Sequence, residues 1–313
     1  MVDSVPRRVS QSVSPKEGVD TMPQEKVHYY FDESGEKGFV SPDCDPVRFG
    51  LIAGIAIPSR NMPQIQSKLN ALFSKIDMQD FDKMHATEIF ANGKNAETRN
   101  QLFDLIVKEE ELLIICEAAY PKGVANDSEA LQEIIESHKP RDPRVKVSKR
   151  NQKKRLYNIL LEGIIVKLDE MCRIENSTDL IMITDRIDEG IWKEAKAVLE
   201  YLSALEHIQI VTGFDPELNK VLKGAIKTKV EGIDISVKHI KSIQIEKNSS
   251  SLTLASDIVC NSIYHFLGSK IGAGLYPRLN AKTTFQGFPL ADKIPFLDDN
   301  YITDSLYAPF IEG

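Results

Sequence analysis

The sequence lacks the short motifs that mark several large enzyme classes. It contains no G-x-G-x-x-G turn, no Walker A lysine loop and no G-x-S-x-G elbow. These motifs bind dinucleotides, bind nucleotide phosphates and expose a catalytic serine, respectively. Their absence argues against a dinucleotide-binding enzyme, a P-loop nucleotidase and a serine hydrolase.

Cysteines are few, and none of the four is spaced for a C-x-x-C pair or a zinc site. Cys116, Cys172 and Cys260 lie in apolar stretches and are predicted to be small core residues, which suits a reducing compartment. The longest apolar run, residues 49–58, is too short to span a bilayer. No apolar secretory segment is seen near residue 1. A cytoplasmic protein with no membrane contact is therefore expected.

The chain is acidic on balance, with a net charge of -7 and a pI of about 5.5. Such a chain is not a non-specific coat for nucleic acid, although a local basic patch can still bind phosphate. Hydrophobic residues make up 42% of its 313 residues. That share is enough to bury a sizeable core.

Leucine, isoleucine and aromatic residues are absent from residues 1–25. Such a segment buries too little surface to offset its ordering entropy, which predicts a disordered tail. Residues 26–313 are predicted to form a single domain. Within it, a basic insertion is expected at about 121–155 and an irregular acidic segment at about 287–313.

The pattern of apolar residues predicts an α/β fold with a mixed sheet. Residues 27–32 and 49–57 are typical of two strands in an antiparallel hairpin. Residues 180–184 form a short apolar strand of the kind found inside a sheet. Later strands alternate with helices, of which 156–174 is the clearest and 215–229 is a further one.

Asp32 closes the first predicted strand, directly before a Glu-Ser-Gly turn. Strand alternation places it on the same face as His28 and Tyr30, where a carboxylate can reach a ligand. The alternative is a turn-forming aspartate that caps its own backbone. Asp185 ends the strand at 180–184, where α/β sheets place their ligands. A structural role is equally open for Asp185.

His85 and Glu88 are three residues apart and share a face if their segment is helical. This spacing allows both side chains to reach one site. The alternative is a helix N-terminus with Thr87 as its cap and His85 merely exposed.

Asp257 lies within a predicted apolar helix at 251–267, one turn before Asn261. A lone acid in such a helix needs a partner or a metal ion. A salt bridge to a lysine or arginine is the alternative.

These positions fall within motifs that resemble those of one bacterial family, the domain of unknown function numbered three thousand eight hundred. It is grouped with the ribonuclease H-like superfamily. The motifs follow in order over about residues 27–270: Tyr30-Phe31-Asp32-Glu33-Ser34-Gly35, His85-Ala86-Thr87-Glu88, Thr184-Asp185-Arg186, and Ser251 through Ala255-Ser256-Asp257. The Asp-Glu-Ser-Gly opening is the most specific. The family usually has a Gln shortly before an Ala-Asp pair in the late helix, whereas this chain reads Leu254-Ala255-Ser256-Asp257.

The resemblance implies a ribonuclease H-like mixed sheet that begins with an antiparallel hairpin, and it implies four metal ligands. These are Asp32, Glu88, Asp185 and Asp257. Hard oxygen ligands suit Mg²⁺ or Mn²⁺, and two such ions would activate a water and stabilise the leaving oxygen of a phosphodiester. His85 would move protons or orient Glu88, and an exposed structural histidine is the alternative.

Residues 139–155 carry nine lysines or arginines and one acid. Lys149, Arg150, Lys153 and Lys154 are candidates for contacts with nucleic-acid phosphates. The alternative is a solvated loop that offsets the acidic C-terminal segment. The stretch has no aromatic residue, so it gives no support to stacking on single-stranded bases.

These observations favour a metal-dependent nuclease or related phosphodiesterase, acting on DNA or RNA. Two other classes stay open. One is a catalytically silent module that holds nucleic acid or a protein partner. The other is a toxin-like or defence component that is inactive until a partner arrives. Oligomeric state is also left open.

Overall fold

The computed structural model describes residues 25–74, 76, 85–89, 95–126, 129, 146–147, 155–185, 189–202, 207–215, 219–228, 237–272 and 275–295. The strands are β1 (Lys26–Gly35), β2 (Gly50–Pro58), β3 (Leu113–Ala119), β4 (Lys146–Val147), β5 (Asp179–Thr184), β6 (His207–Asp215), β7 (Lys220–Thr228) and β8 (Ser242–Lys247). The helices are α1 (Met62–Phe73), α2 (Ala86–Ile89), α3 (Ala96–Lys108), α4 (Leu156–Ile174), α5 (Glu189–Leu202) and α6 (Ser251–Lys270), with a 3₁₀ turn at Ala291–Lys293. Residues 121–126 are also helical.

The main sheet has five strands in the order β3-β2-β1-β5-β8. β1 and β2 form the predicted antiparallel hairpin, and β3 continues it in the same antiparallel sense. β5 and β8 run parallel to β1. The carboxyl ends of β1, β5 and β8 therefore meet at one edge of the sheet. The predicted α/β class with a mixed sheet is confirmed.

Alternation along β1 divides the core into two layers. Tyr29 and Phe31 face one side of the sheet, which α4 and α5 cover. Tyr30 faces the other side, which α1, α3 and α6 cover. Asp32 is two residues beyond Tyr30, so alternation directs it to the α6 side. β2 is buried along its whole length because its apolar side chains contact both layers.

Helix α6 packs across β1 and β2 on the side of the sheet that Tyr30 faces. Its start is set by a capping box. Ser250 Oγ accepts a hydrogen bond from the Thr253 backbone N–H at 3.4 Å, and Thr253 Oγ1 accepts one from the Ser250 N–H at 2.7 Å. This cap defines the helical register that directs Asp257 to the sheet.

The prediction of a helix at residues 215–229 is wrong, because this segment contains strand β7. β7 pairs with β6 in an antiparallel hairpin over nine residue pairs, and β4 adds to it as a separate three-stranded sheet. Asn219, at a φ of 49°, adopts the left-handed conformation of a turn just before β7. The apolar residues of β7 recur at a spacing that also suits a helix. Backbone pairing with β6 decided the outcome.

Most other predicted elements are confirmed within a few residues. The helix predicted at 156–174 is α4 with the same bounds, and the apolar strand at 180–184 is the interior strand β5. Cys116, Cys172 and Cys260 are buried, as predicted. Gly287 to Pro295 is irregular as expected, yet its apolar residues Phe288, Leu290 and Ile294 are buried in the core.

Several predictions fall on residues outside the described ranges. These are the disordered tail, apart from Glu25, most of the basic insertion, and the acidic segment after residue 295. The candidate phosphate contacts Lys149, Arg150, Lys153 and Lys154 lie outside as well. Within the described part of the chain, no helix is long and apolar enough to cross a membrane.

Candidate active site

Asp32 lies inside strand β1 and not in the turn that follows it. Its backbone is level with Ala53 of β2, and the strand continues for three residues to Gly35. Asp32 is therefore not a turn residue, although its carboxylate accepts a hydrogen bond from the Glu33 backbone N–H. The Cys260 thiol donates to the Asp32 backbone carbonyl at 3.3 Å, which holds α6 close to this part of the strand.

The Asp257 side chain projects from α6 towards the Asp32 carboxylate. Its Oδ2 atom accepts a hydrogen bond from the Ala86 backbone N–H at 2.8 Å, where α2 begins. Its side chain is 18% exposed and is hydrogen-bonded to that of Asp32. The two carboxylates, far apart in sequence, therefore meet in one partly buried site. Among the residues that the structure describes, no lysine or arginine pairs with Asp257, contrary to the alternative.

The proximity of the two carboxylates has an electrostatic consequence. Burial, and after it the negative charges of Asp257 and Glu33, raise the pKa of Asp32 from its ordinary value of 3.8 to about 8. A hydrogen bond from the Glu33 backbone acts in the opposite direction but is weaker. Without a cation, the pair therefore retains a proton at neutral pH. A positive ion at this position would replace that proton.

His85 lies at the rim of the site, immediately before α2. Its Nδ1 atom is 3.9 Å from Asp257 Oδ2, and its side chain is 37% exposed. His85 therefore lies beside the acid pair, and its role there stays a prediction. Thr87 lies inside α2 and does not cap it.

Glu88 is placed only by its backbone. It lies in α2, the short helix whose first backbone N–H donates to Asp257. Its side chain is outside the described part of the structure. The prediction that Glu88 contributes a ligand is therefore untested.

Asp185 lies at the same edge of the sheet as Asp32. In the parallel pairing of β1 with β5, Tyr30 is opposite Ile183. Asp32 follows Tyr30 by two residues, and Asp185 follows Ile183 by two residues. The pairing of β1 with β5 ends at Tyr30 and Ile183, where neighbouring strands are about 4.8 Å apart. Asp185 is half-buried, one residue past the end of β5.

The site supplies hard oxygen donors, the ligands that Mg²⁺ and Mn²⁺ prefer. Asp32 and Asp257 are in contact, so the chemistry of this donor pair fits a divalent cation. Among the described residues, no three His, Cys, Asp or Glu side chains are grouped to hold a metal ion. The Glu88 side chain is not among those described, so the set of four ligands that the resemblance implies stays a prediction.

Sequence reasoning missed two features of this site. The Ala86 N–H donor belongs to the backbone, so no side-chain pattern could reveal it. The contact of Cys260 with strand β1 was also missed, because a buried cysteine is typical of any core.

The chain was compared with known protein families, curated proteins and solved structures, and it matches none of them.

Proposed function

We propose that this protein is a metal-dependent hydrolase of phosphodiester bonds, a nuclease with a ribonuclease H-like fold. The observation that carries the proposal is the contact between Asp32 and Asp257 at the carboxyl edge of the main sheet. Ligands of α/β sheets bind at this edge. The mixed sheet and its opening antiparallel hairpin support the fold assignment, since the family resemblance implies both.

Two like-charged, partly buried carboxylates repel each other, and this arrangement destabilises a fold unless a cation or a proton compensates it. The described partners of the pair are the Ala86 N–H, the Glu33 N–H and the His85 ring. Since none of these is a permanent cation, a divalent metal ion is the natural partner. This reasoning favours a metal site over a purely structural acid pair.

Asp32 and Asp257 would hold the divalent cation, with Asp185 and Glu88 as the further ligands that the family resemblance implies. When bound, such an ion lowers the pKa of a water and neutralises the charge of a leaving phosphate oxygen. The Ala86 N–H orients the Asp257 carboxylate by its hydrogen bond to Oδ2. The protein's main contribution is thus to hold two carboxylates in one orientation.

His85 would carry a proton to or from the reacting groups. It lies beside Asp257 at the exposed rim, where solvent and substrate can both reach it. An imidazole ring can both accept and donate a proton, which suits this role. His85→Gln would therefore lower the rate and change the pH profile while leaving metal affinity nearly unchanged.

The basic stretch at residues 139–155 supports nucleic acid as the substrate, because its nine cationic side chains are concentrated in an otherwise acidic chain. Lys149, Arg150, Lys153 and Lys154 are the proposed phosphate contacts. Neutralising these four should weaken binding without sequence preference, and the salt dependence should flatten by roughly 0.7–0.9 for each phosphate interaction removed.

The direct test incubates the purified protein with labelled single- and double-stranded DNA and RNA in Mg²⁺, Mn²⁺ or EDTA. Metal-dependent cleavage is expected, and Asp32→Asn and Asp257→Asn should each reduce it at least about 100-fold, because even outer-shell partners of a metal contribute 10–100-fold. Asp104→Asn, a change of an exposed aspartate on α3, is the matched control and should retain full activity.

Full cleavage by Asp32→Asn would contradict the proposal. Nucleic-acid binding without metal binding or cleavage would instead identify a catalytically silent module. Cleavage only after addition of a cellular partner would identify a toxin-like or defence component.

A further inference from the structure

The second sheet, formed by β4, β6 and β7, is built largely on an excursion of the chain from the main domain. Among the described elements, these three strands pack closely only against one another. The chain leaves α5 at Leu202 to build β6 and β7 and comes back at Val237, whose backbone N–H donates to the Leu202 carbonyl at 3.2 Å. The β6–β7 hairpin is therefore an arm that leaves and rejoins the main domain at a single point.

The base of this arm is fixed by a buried acid. Asp169 of α4 is 7% exposed, and its carboxylate accepts hydrogen bonds from three successive backbone N–H groups, those of Lys238, His239 and Ile240, at 3.0, 2.8 and 2.7 Å. Ile240 is itself buried in the core. An arm with an anchored base loses less entropy when a ligand binds to it.

Strand β4 brings the basic stretch onto the second sheet. Lys146 and Val147 belong to the stretch at 139–155, and they pair with Phe214 and Gly213 of β6. Part of the most cationic segment of an acidic chain is thus built into this sheet.

The register of the second sheet separates its charges by face. Residues directly opposite each other in an antiparallel pair share a face, and successive rows alternate between the two faces. Counted from the row of Lys146 and Phe214, positions 223 and 227 of β7 lie two and six rows further along, and therefore on the same face. Both positions are lysines, and no acid occurs among the strand residues of this face.

On the opposite face, lysine and acid are balanced. Lys220, an exposed residue, lies opposite Asp215 in the pairing of β7 with β6. Opposite charges in facing positions of two strands stabilise each other. The unbalanced lysines of the three strands are therefore on one face, which we call the lysine face: Lys146, Lys223 and Lys227.

We propose that the lysine face binds the phosphate backbone of a nucleic acid, in single strands and duplexes alike. Three lysines without an acid on their face complement a polyanion, which the net charge of the chain otherwise repels. Positions 223 and 227 are about 13 Å apart along β7, so each lysine contacts a separate phosphate. Contacts with phosphates carry no sequence information, so binding is independent of sequence. The inference rests on the proposed nuclease function for the purpose of the bound strand, although not for its binding.

The test measures the affinity for fluorescent single-stranded and duplex oligonucleotides, DNA and RNA, at several salt concentrations in EDTA, so that no cleavage occurs. The double variant Lys223→Gln with Lys227→Gln should flatten the salt dependence by about 1.4–1.8, because it removes two phosphate contacts of roughly 0.7–0.9 each. For equal affinities at 1 M salt, this change corresponds to an affinity about 25- to 60-fold lower at 0.1 M. Lys146→Gln should cause about half of this change in slope, because it removes one contact.

Lys220→Gln is the matched control, because it removes the same charge from the opposite face of the same strand. It should retain the wild-type affinity and salt dependence. Lys223→Arg with Lys227→Arg keeps both charges and should also bind like the wild type, which separates a loss of charge from a disturbed strand. Wild-type binding by the double glutamine variant, an equal loss in Lys220→Gln, or no oligonucleotide binding by the wild type would overturn the proposal.

A small diester, bis(p-nitrophenyl) phosphate, separates the lysine face from the proposed function. Its hydrolysis should require Asp32 and should not change in the double glutamine variant. Asp32-dependent hydrolysis with unchanged oligonucleotide binding in that variant would refute the lysine face alone. Oligonucleotide binding that depends on Lys223 and Lys227, without hydrolysis in any metal, would support the lysine face and refute the nuclease function.

Discussion

Two carboxylates of the main sheet, one buried and one partly buried, have opposite kinds of partner. Glu117 of the edge strand β3 is 2% exposed, and Lys167 of α4 approaches its Oε2 atom to 2.7 Å. Asn280 donates to Oε1 at 3.1 Å and also bonds the Ala118 backbone. A Cβ at Gly163 would come within 2.4 Å of the Glu117 carboxyl carbon, so α4 is packed closely against this pair.

Asp32, two strands away in the same sheet, instead faces another acid. Its carboxyl group is hydrogen-bonded to that of Asp257, and neither of them gains a lysine or arginine among the described residues. The charge of Glu117 is compensated by Lys167, so its site is complete without a further ion, which is typical of a structural role. The Asp32 site is incomplete until a proton or a cation is added. The sign of the partner therefore distinguishes an acid whose charge is compensated within the fold from one whose charge is not, and the proposed function places the chemistry at the second.

The largest effect of a single substitution is expected from removing the cation at the complete site. Lys167→Met should lower the free energy of unfolding by about 3–5 kcal/mol, because Glu117 would remain buried without a compensating charge. Urea unfolding followed by circular dichroism measures this change. The double variant Lys167→Met with Glu117→Gln should recover most of the loss. A loss below about 1 kcal/mol in the single variant would show that Glu117 does not depend on Lys167.

Adding a cation at the incomplete site should act in the opposite direction. Mg²⁺ at one hundred times its dissociation constant should raise the free energy of unfolding by about 2.7 kcal/mol, because it binds only the folded state. Thermal melts with and without Mg²⁺ measure the shift. It should vanish in Asp32→Asn and persist in Asp104→Asn. An equal Mg²⁺ shift in Asp32→Asn would place the bound ion elsewhere.

The pH dependence of stability should report the like-charged pair directly. The folded pKa of Asp32 is raised from 3.8 to about 8, so between these values the folded state retains a proton that the unfolded state has released. In EDTA the free energy of unfolding should therefore fall as pH rises from about 4 to 8, by at most about 1.4 kcal/mol per pH unit.

Asp32→Asn removes the titrating group, so the difference between wild type and variant isolates its contribution. Urea unfolding at several pH values from about 4 to 9 provides the measurement. Parallel curves for the two proteins across this window would mean that Asp32 is not held in its protonated form.

The smallest effect is expected where an ion pair is exposed to water. Arg173 and Glu170 form such a pair on α4, with side chains 52% and 42% exposed. Arg173→Ala should change the free energy of unfolding far less than Lys167→Met does, and added salt should reduce that difference further. A loss of unfolding free energy as large as that of Lys167→Met would contradict the view that burial makes the Glu117–Lys167 pair important for stability.

Local patterns predicted much of the fold because their physical cause is local. The run of apolar residues in α4 and the alternation in β1 each require a particular element whatever surrounds it. The helix prediction for residues 215–229 failed because the apolar pattern there suits a helix and a strand equally. Only the backbone of β6, a distant element, could supply the pairing that made it β7.

The sequence by itself determined the mixed α/β class, the opening hairpin, the position of Asp185 just after a strand and that of Asp257 on a helix. Only the tertiary structure decided that Asp32 and Asp257 share a hydrogen bond, and that Lys146 lies on the same face of the second sheet as Lys223 and Lys227. The physical reason is that charge repulsion and strand pairing depend on distance in space. That distance is set by how α6 crosses the main sheet and how β4 pairs with β6, neither of which is encoded in a short stretch of residues.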